Sequence, residues 1–501
     1  MSNIDSLVKY FKGGSAEAER EIRGQVFVQP KNFSSLLNFD FHSSVVLLGN
    51  KGIGKSILVN VIHEAFLEND ELSVLISPDN LECDPILQKK TLADKKSVAY
   101  AQMLRAVAGI IGRHSSESEI AIKQEVVALQ KLAVEDGYAK DHLISKFARI
   151  LAGATPKGRD LAKSMLVEQG GVLTKNNLTD VISEYLASRN KNLWLFVDDI
   201  DAAVAVGSTG GFDYAACWAI VSAAIELSED VSELKCVVSV RSDIWHLMTR
   251  VHGHGTEKRD KLGNIKELKF SEEELQSIFE RRIALAVKEN GSGENLTVFF
   301  RGNKITLPGR SQEKRHWSQW VAKVSRNKPR DLVKLIQALI TKTKEDGADK
   351  IGDAQAHEIL VGYGEDRVEN IVDEYGIICP QIRDVIDDLT EKNSYEFQEL
   401  VDKLRKQAAK RSMAIDGVAL RQDNDSAIKI LRILHMACFI NPRLESEDEY
   451  VHLNYSDYPK LVDMAKFNQL QNYSWQIHPA FHSYVASVRN RDYFKESRNH
   501  R

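Results

Sequence analysis

Apolar residues recur along this chain with two rhythms. Short unbroken runs, VVLL at 45–48, ELSVLI at 71–76, LWLFV at 193–197 and LKCVVSV at 234–240, have the length and β-branched content of strands buried on both faces. Elsewhere apolar positions fall three and four apart, as in SILVNVIHEAF, AYAQMLRAVAGIIG, IAIKQEVVALQKLAV, HLISKFARILAG and CWAIVSAAIELSED, which is the spacing of helices with one buried face. Strands of this kind alternating with helices predict a parallel sheet covered on both sides. The helical rhythm dominates from about 86 to 190, so a large helical insertion leaves the sheet there.

Beyond 270 the pattern changes. EEELQSIFERRIALAV and PRDLVKLIQALITKT read as helices flanking a Gly/Asn-rich excursion, ENGSGENLTVFFRGNKITLPGR, expected to be a loop or small hairpin. After about 377 come two helical patterns, FQELVDKLRKQAAK and AIKILRILHMACF, and then two alternating runs, YVHLNY and YSWQIH, expected to pair. The predicted architecture is an α/β core over 1–270, a helical lid over 271–376, and a C-terminal α+β module over 377–501 with a winged-helix-like order of helices and strands.

Composition narrows the function classes. With 43% hydrophobic and 28% charged residues over 501 positions, the chain has the make-up of a soluble globular protein of two or three domains. MSNIDSLVKYFKGG lacks a basic and then apolar leader, and no window approaches the roughly 18 apolar residues of a membrane helix. We expect a cytoplasmic protein without membrane association. Cys83, Cys217, Cys236, Cys379 and Cys438 have neither disulfide nor zinc spacing. A net charge of −4 gives no overall pull toward nucleic acid. Lys403, Arg405, Lys406, Lys410 and Arg411 concentrate positive charge on one helix, yet residues 391–501 hold 17 Lys+Arg against 15 Asp+Glu. DNA and protein are both candidate partners of that module.

The stretch after the first apolar run is Gly49-Asn50-Lys51-Gly52-Ile53-Gly54-Lys55-Ser56-Ile57. Glycines here let backbone N–H groups curl around phosphates, Lys55 reaches the β and γ oxygens, and Ser56 offers a hydroxyl to Mg²⁺. The strand before and helix after supply the required context, with the helix N-terminus adding a positive end. A chance glycine turn is the bland alternative.

Two further strand ends complete a constellation. LWLFVDDID places Asp198 where a carboxylate can hold Mg²⁺ and Asp199 beside it as a general base, against the alternative of solvated acids. Asp201 is a helix cap or a supporting acid. VVSVRSDIW ends in Arg241, a candidate sensor of the γ-phosphate, with Ser242 and Asp243 as caps of the next helix. Phe27 and Phe33 are candidate adenine-stacking residues. His252 and His254 are too few to make a metal site. Trp475 and His478 read as core residues of the C-terminal module.

Taken together these stretches resemble the AAA+/STAND branch of P-loop ATPases. GNKGIGKS corresponds to Walker A, LWLFVDDID to Walker B, VVSVRSD to a sensor-1-like strand, and Asn327-Lys-Pro-Arg330-Asp-Leu to a sensor-2 signature opening a lid helix. RSDIW, Arg259-Asp-Lys261 and Gln476-Ile-His-Pro further resemble a bacterial group within it. The resemblance implies ATP and Mg²⁺ as cofactors, hydrolysis to ADP and phosphate, and Arg330 as a sensor carried by the lid. It also implies homo-oligomers and a bacterial regulatory or antiviral role beside a separately encoded effector. The alternative is a non-hydrolysing, initiator-like DNA-binding or scaffold protein. Asp199 stands where many hydrolysing members carry Glu, and Lys55 and Asp198 lie 143 positions apart. Arg259, Arg281 and Arg282 are finger candidates by composition, although Arg281 and Arg282 read more simply as a solvated helix face.

Overall fold

The computed structural model describes residues 4–39, 42–77, 81–118, 129–130, 132–133, 175–206, 211–251, 253–254, 264–291, 295–308, 312–445, 450–455 and 457–499. HLISKFARILAG, all but four residues of IAIKQEVVALQKLAV, Arg259 to Lys261, and His252 lie outside them. Two compact units emerge, one of residues 31–268 and one made of Met1–Pro30 with Lys269–Arg501.

The first unit is built on a five-stranded sheet. In chain order its elements are β1 (Ser44–Gly49), α1 (Lys55–Glu68), β2 (Leu72–Ile76), α2 (Leu92–Ser118), α3 (Lys175–Arg189), β3 (Leu193–Val197), α4 (Tyr214–Asp230), β4 (Leu234–Arg241) and β5 (Ile265–Glu267). The strands lie in the order β2-β3-β4-β1-β5, all parallel. This is a P-loop α/β core. Four of its strands are the apolar runs, buried on both faces. The fifth, IKE, has no apolar run because it is an edge strand, and its Ile265 is 44% exposed.

Helix packing explains part of the insertion. Helix α4 buries Ala216, Cys217, Ile220, Val221, Ala223 and Ala224, and packs closely on α2. Asp213 caps α4 through the Ala216 N–H at 2.8 Å. The same carboxylate accepts from buried Lys95 of α2 at 2.8 Å, and that ammonium also donates to Leu87 O at 3.1 Å. A buried lysine is tolerated here because its donors are satisfied.

The second unit begins with the helix Asp5–Tyr10 and continues after 269 with α5 (Glu272–Asn290), α6 (Trp317–Val324), α7 (Pro329–Glu345) and α8 (Asp353–Tyr375). Helix α5 opens on a Ser271/Glu274 capping box, and α7 opens on Pro329. The excursion between α5 and α6 forms a hairpin of Lys304–Thr306 with Lys314–His316. Its second strand falls just past the Gly/Asn-rich stretch.

Residues 4–30 pack in this unit, although their sequence position groups them with the core. Arg282 explains why. Its guanidinium donates to Glu19 at 2.9 and 2.7 Å and to the Tyr10 carbonyl, with both charged side chains nearly fully buried. Arg281 donates to Gln25 O at 2.9 Å. At Arg282 the solvated-face reading is therefore replaced by a buried clamp on the N-terminal segment, whereas Arg281 is exposed, as a solvated face requires.

The C-terminal part contains β6 (Ser394–Glu396), α9 (Phe397–Lys410), α10 (Asn424–Met436), β7 (Ile440–Glu445), β8 (Tyr450–His452), β9 (Ser474–Ile477) and α11 (His482–Asn499). Its antiparallel sheet runs β6-β9-β7-β8. The two alternating runs do form strands, but they do not pair with each other. Both flank β7, whose sequence INPRLE reads against a central strand because Pro442 removes a ladder donor. Pro442 is accommodated where β7 passes from pairing with β9 to pairing with β8. Trp475 and His478 are buried here.

Candidate functional site

The loop from Gly49 to Ser56 joins β1 to α1. Gly54 stands just before the helix at φ 102°, a left-handed conformation that glycine adopts without penalty. Gly49 is needed for space instead, since a Cβ there would sit 2.7 Å from Ile53 Cγ2. No side chain caps the start of α1, so its first N–H groups remain open toward an anion. Lys55 turns back on the loop and donates to Gly49 O at 2.8 Å. Burial lowers its ammonium pKa, opposed by the charges of Asp201, Asp198 and Asp243.

The register of the sheet brings the other strand ends to this loop. Gly49 lies directly beside Arg241, and Val197 beside Val238. β4 therefore runs between the phosphate-loop strand and the acidic strand, and its C-terminal end stands between Gly49 and Asp198. Asp198 is buried and accepts a hydrogen bond from Ser239 Oγ. Asp199 is exposed and holds φ 55°, ψ 36° at the head of the turn Ile200–Ala203. An aspartate tolerates this left-handed conformation better than most residues.

Arg241 is buried and ion-paired on two sides. Nε and Nη2 donate to the two oxygens of Asp243 at 3.1 and 2.6 Å, and Nη1 donates to Asp201 at 3.2 Å. This replaces the capping role expected of Asp243, and of the two readings of Asp201, cap or supporting acid, it matches the second. The short helix Ser242–His246 has no side-chain cap, and Ser242 Oγ is buried without a partner. Ser239 was the residue missed by reading motifs. Strand alternation puts it on the same face as Arg241, two positions on.

Asn50, Lys51, Gly52, Ile53 and Ile57 all lie in the loop or the first turn of α1, with Ile53 buried and its N–H donating to Asn50 O at 3.2 Å. Half-buried Phe33 belongs to this unit, whereas Phe27 belongs to the other. Arg330 is also in the other unit, at the second position of α7, where its Nε donates to Gly14 O at 3.1 Å. The neighbouring Asp331 is buried between Arg326 (2.9 and 2.6 Å) and Arg367 (2.7 Å). On the C-terminal module, Lys403 pairs with Glu391, Arg405 with Asp402, and Arg411 with Asp384 and Asp388. Much of the basic helix is thus neutralised by its own surroundings.

An uncapped helix start beside a left-handed glycine could hold a phosphate, and Ser56 and Asp198 carry hard oxygens that could hold Mg²⁺. Among the described residues no group of three or more His, Cys, Asp or Glu is placed to hold a metal ion.

No family model matches the chain, and no curated protein matches it. Among solved structures it is similar to the Aeropyrum pernix ORC2 protein in ADPNP-ADP complexes, at 10% identity, TM-score 0.39, and coverage of 95% of this chain and 93% of that one. It is also similar to CDC6P from Pyrobaculum aerophilum (10% identity, 97% and 98% covered, TM-score 0.32). A third is the Thermotoga maritima RuvB Holliday junction branch migration motor (13% identity, 90% and 98% covered, TM-score 0.30). At this level of likeness the strand order and loop geometry carry the fold on their own. No helix among the described residues is long and apolar enough to cross a membrane.

Proposed function

We propose that the chain is a Mg²⁺-dependent ATPase of the AAA+/STAND kind that works as a regulatory switch. The observation carrying this reading is the convergence, at one sheet edge, of an uncapped helix start after left-handed Gly54, the half-buried ammonium of Lys55, and the buried carboxylate of Asp198. Lys55 and the loop amides bind and orient phosphate, and Ser56 with Asp198 would hold Mg²⁺, which supplies charge neutralisation. Exposed Asp199 orients the attacking water and takes its proton as the bond from oxygen to the γ-phosphorus forms and the bridging P–O bond breaks. Arg241 senses the γ-phosphate and Arg330 serves as the second sensor. The C-terminal module is winged-helix-like in its order of elements. Homo-oligomers and a separately encoded effector are what the sequence resemblance implies.

Single-turnover phosphate release, with and without DNA, tests this reading. The unmodified protein is expected to release phosphate at a rate at least tenfold above Lys55→Ala. Tight ATP binding with release no faster than in that variant would instead support the non-hydrolysing, initiator-like alternative. Nucleotide-dependent mass in solution, read on the same fractions, tests oligomerisation.

A further inference from the structure

Two acids among the described residues hold Arg241, and they hold it unequally. Asp243 grips it through two donors and lies one residue beyond its neighbour Ser242, so the pair is built into a single turn. Asp201 takes only Nη1, at 3.2 Å, from a separate four-residue turn after β3. All three side chains are largely buried, at 8, 5 and 14% exposure for Arg241, Asp243 and Asp201. The guanidinium thus stands at the end of β4 whose register partner is Gly49, the first residue of the loop, with its Nη1 on an acid.

The edge also carries an excess of negative charge. Lys55 and Arg241 are two cations among Asp198, Asp201 and Asp243, all of which act on Lys55. Phosphate charge adds to this excess, and beyond what Mg²⁺ would neutralise it is eased if one acid yields its partner. Asp201 is the one held by a single contact.

Resting on the nucleotide reading above, we infer that Asp243 is the pivot of Arg241 and Asp201 is an internal competitor of the terminal phosphate for its Nη1. The Asp201 pair thereby sets how strongly the site prefers a triphosphate to a diphosphate. Without the γ-phosphate Arg241 stays on Asp201. With it, Nη1 exchanges one anionic acceptor for another while Asp243 keeps its two donors, so the guanidinium is never left unpaired. Asp201 is a positioning residue and touches no nucleotide.

The test measures equilibrium affinity for a non-hydrolysable ATP analogue and for ADP, each with Mg²⁺, on the full chain. Asp201→Asn removes the charge at constant size, and the preference for the triphosphate analogue over ADP is expected to rise about tenfold, the usual scale of one charge-assisted hydrogen bond. In an Arg241→Gln background the same substitution is expected to change the preference by less than about twofold, because the coupling runs through the guanidinium. An unchanged preference in D201N, or an equal rise in both backgrounds, overturns the proposal, the second outcome revealing a general charge effect. Melting without nucleotide checks folding first. If D201N does not fold, D201S carries the comparison with the same expected result. If the unmodified chain binds neither nucleotide, the nucleotide reading itself falls, whereas binding with an unaltered preference sinks only the role of Asp201.

Discussion

Ser239 illustrates how one side chain's role follows from register. Its hydroxyl meets Asp198 because parallel pairing of β3 with β4 sets Val197 opposite Val238, and the next residues follow in step. Replacing it by alanine leaves a buried carboxylate one donor short. We expect Ser239→Ala to lower stability by about 1–3 kcal/mol in urea unfolding without nucleotide, with Ser239→Thr restoring much of it. The loop glycines, Lys55, Asp198 and Arg241 were legible in the sequence because each sits at a fixed offset from an apolar run. Ser239 and the Asp201 pairing were not, since both depend on which strands are neighbours, and a linear pattern does not state that order.

Elements were legible in proportion to how apolar they are. The four central strands announce themselves, whereas β5 and β6 are three residues long and partly polar, and β7 is disguised by Pro442. The N-terminal segment was misplaced for another reason. A tie between Glu19 and Arg282 has no local signature, because its partners are far apart in sequence. Breaking it from one side should be severe. Arg282→Ala leaves Glu19 charged and buried, and we expect a loss of about 3–5 kcal/mol in unfolding of this unit, with faster amide exchange over residues 5–26. Replacing both partners by methionine is expected to cost much less, since no charge is then stranded. Equal losses in the single and double variants would show that packing rather than charge holds the segment.

At the scale of the molecule, buried imidazoles make the second unit sensitive to acid. Burial pushes His435 down to about 4, and it lowers His452, His478 and His482 as well. His435 Nε2 donates to Leu453 O at 2.8 Å while Nδ1 is buried without a partner, which fixes the neutral form. An unfolded histidine titrates near 6.5, so between that pH and about 4 the unfolded chain binds the extra proton. Stability is whole above about 6.5 and is lost as pH falls through this window. From pH 7 to pH 5 His435 alone accounts for about 2 kcal/mol. Urea unfolding at the two pH values should show that loss, and His435→Gln, which keeps an N–H but does not titrate, should reduce it by a similar amount.

The division into units also orders events during synthesis. Residues 31–268 form one unit while the chain on either side of them joins into the other. Glu19 leaves the ribosome 263 residues ahead of Arg282. At about 5–20 residues per second, the leading segment waits on the order of ten seconds to a minute for its partner. During that interval Leu7, Tyr10, Phe11 and Ile22, all buried in the finished protein, have no place to go, and a nascent-chain chaperone has its clearest target in the first thirty residues.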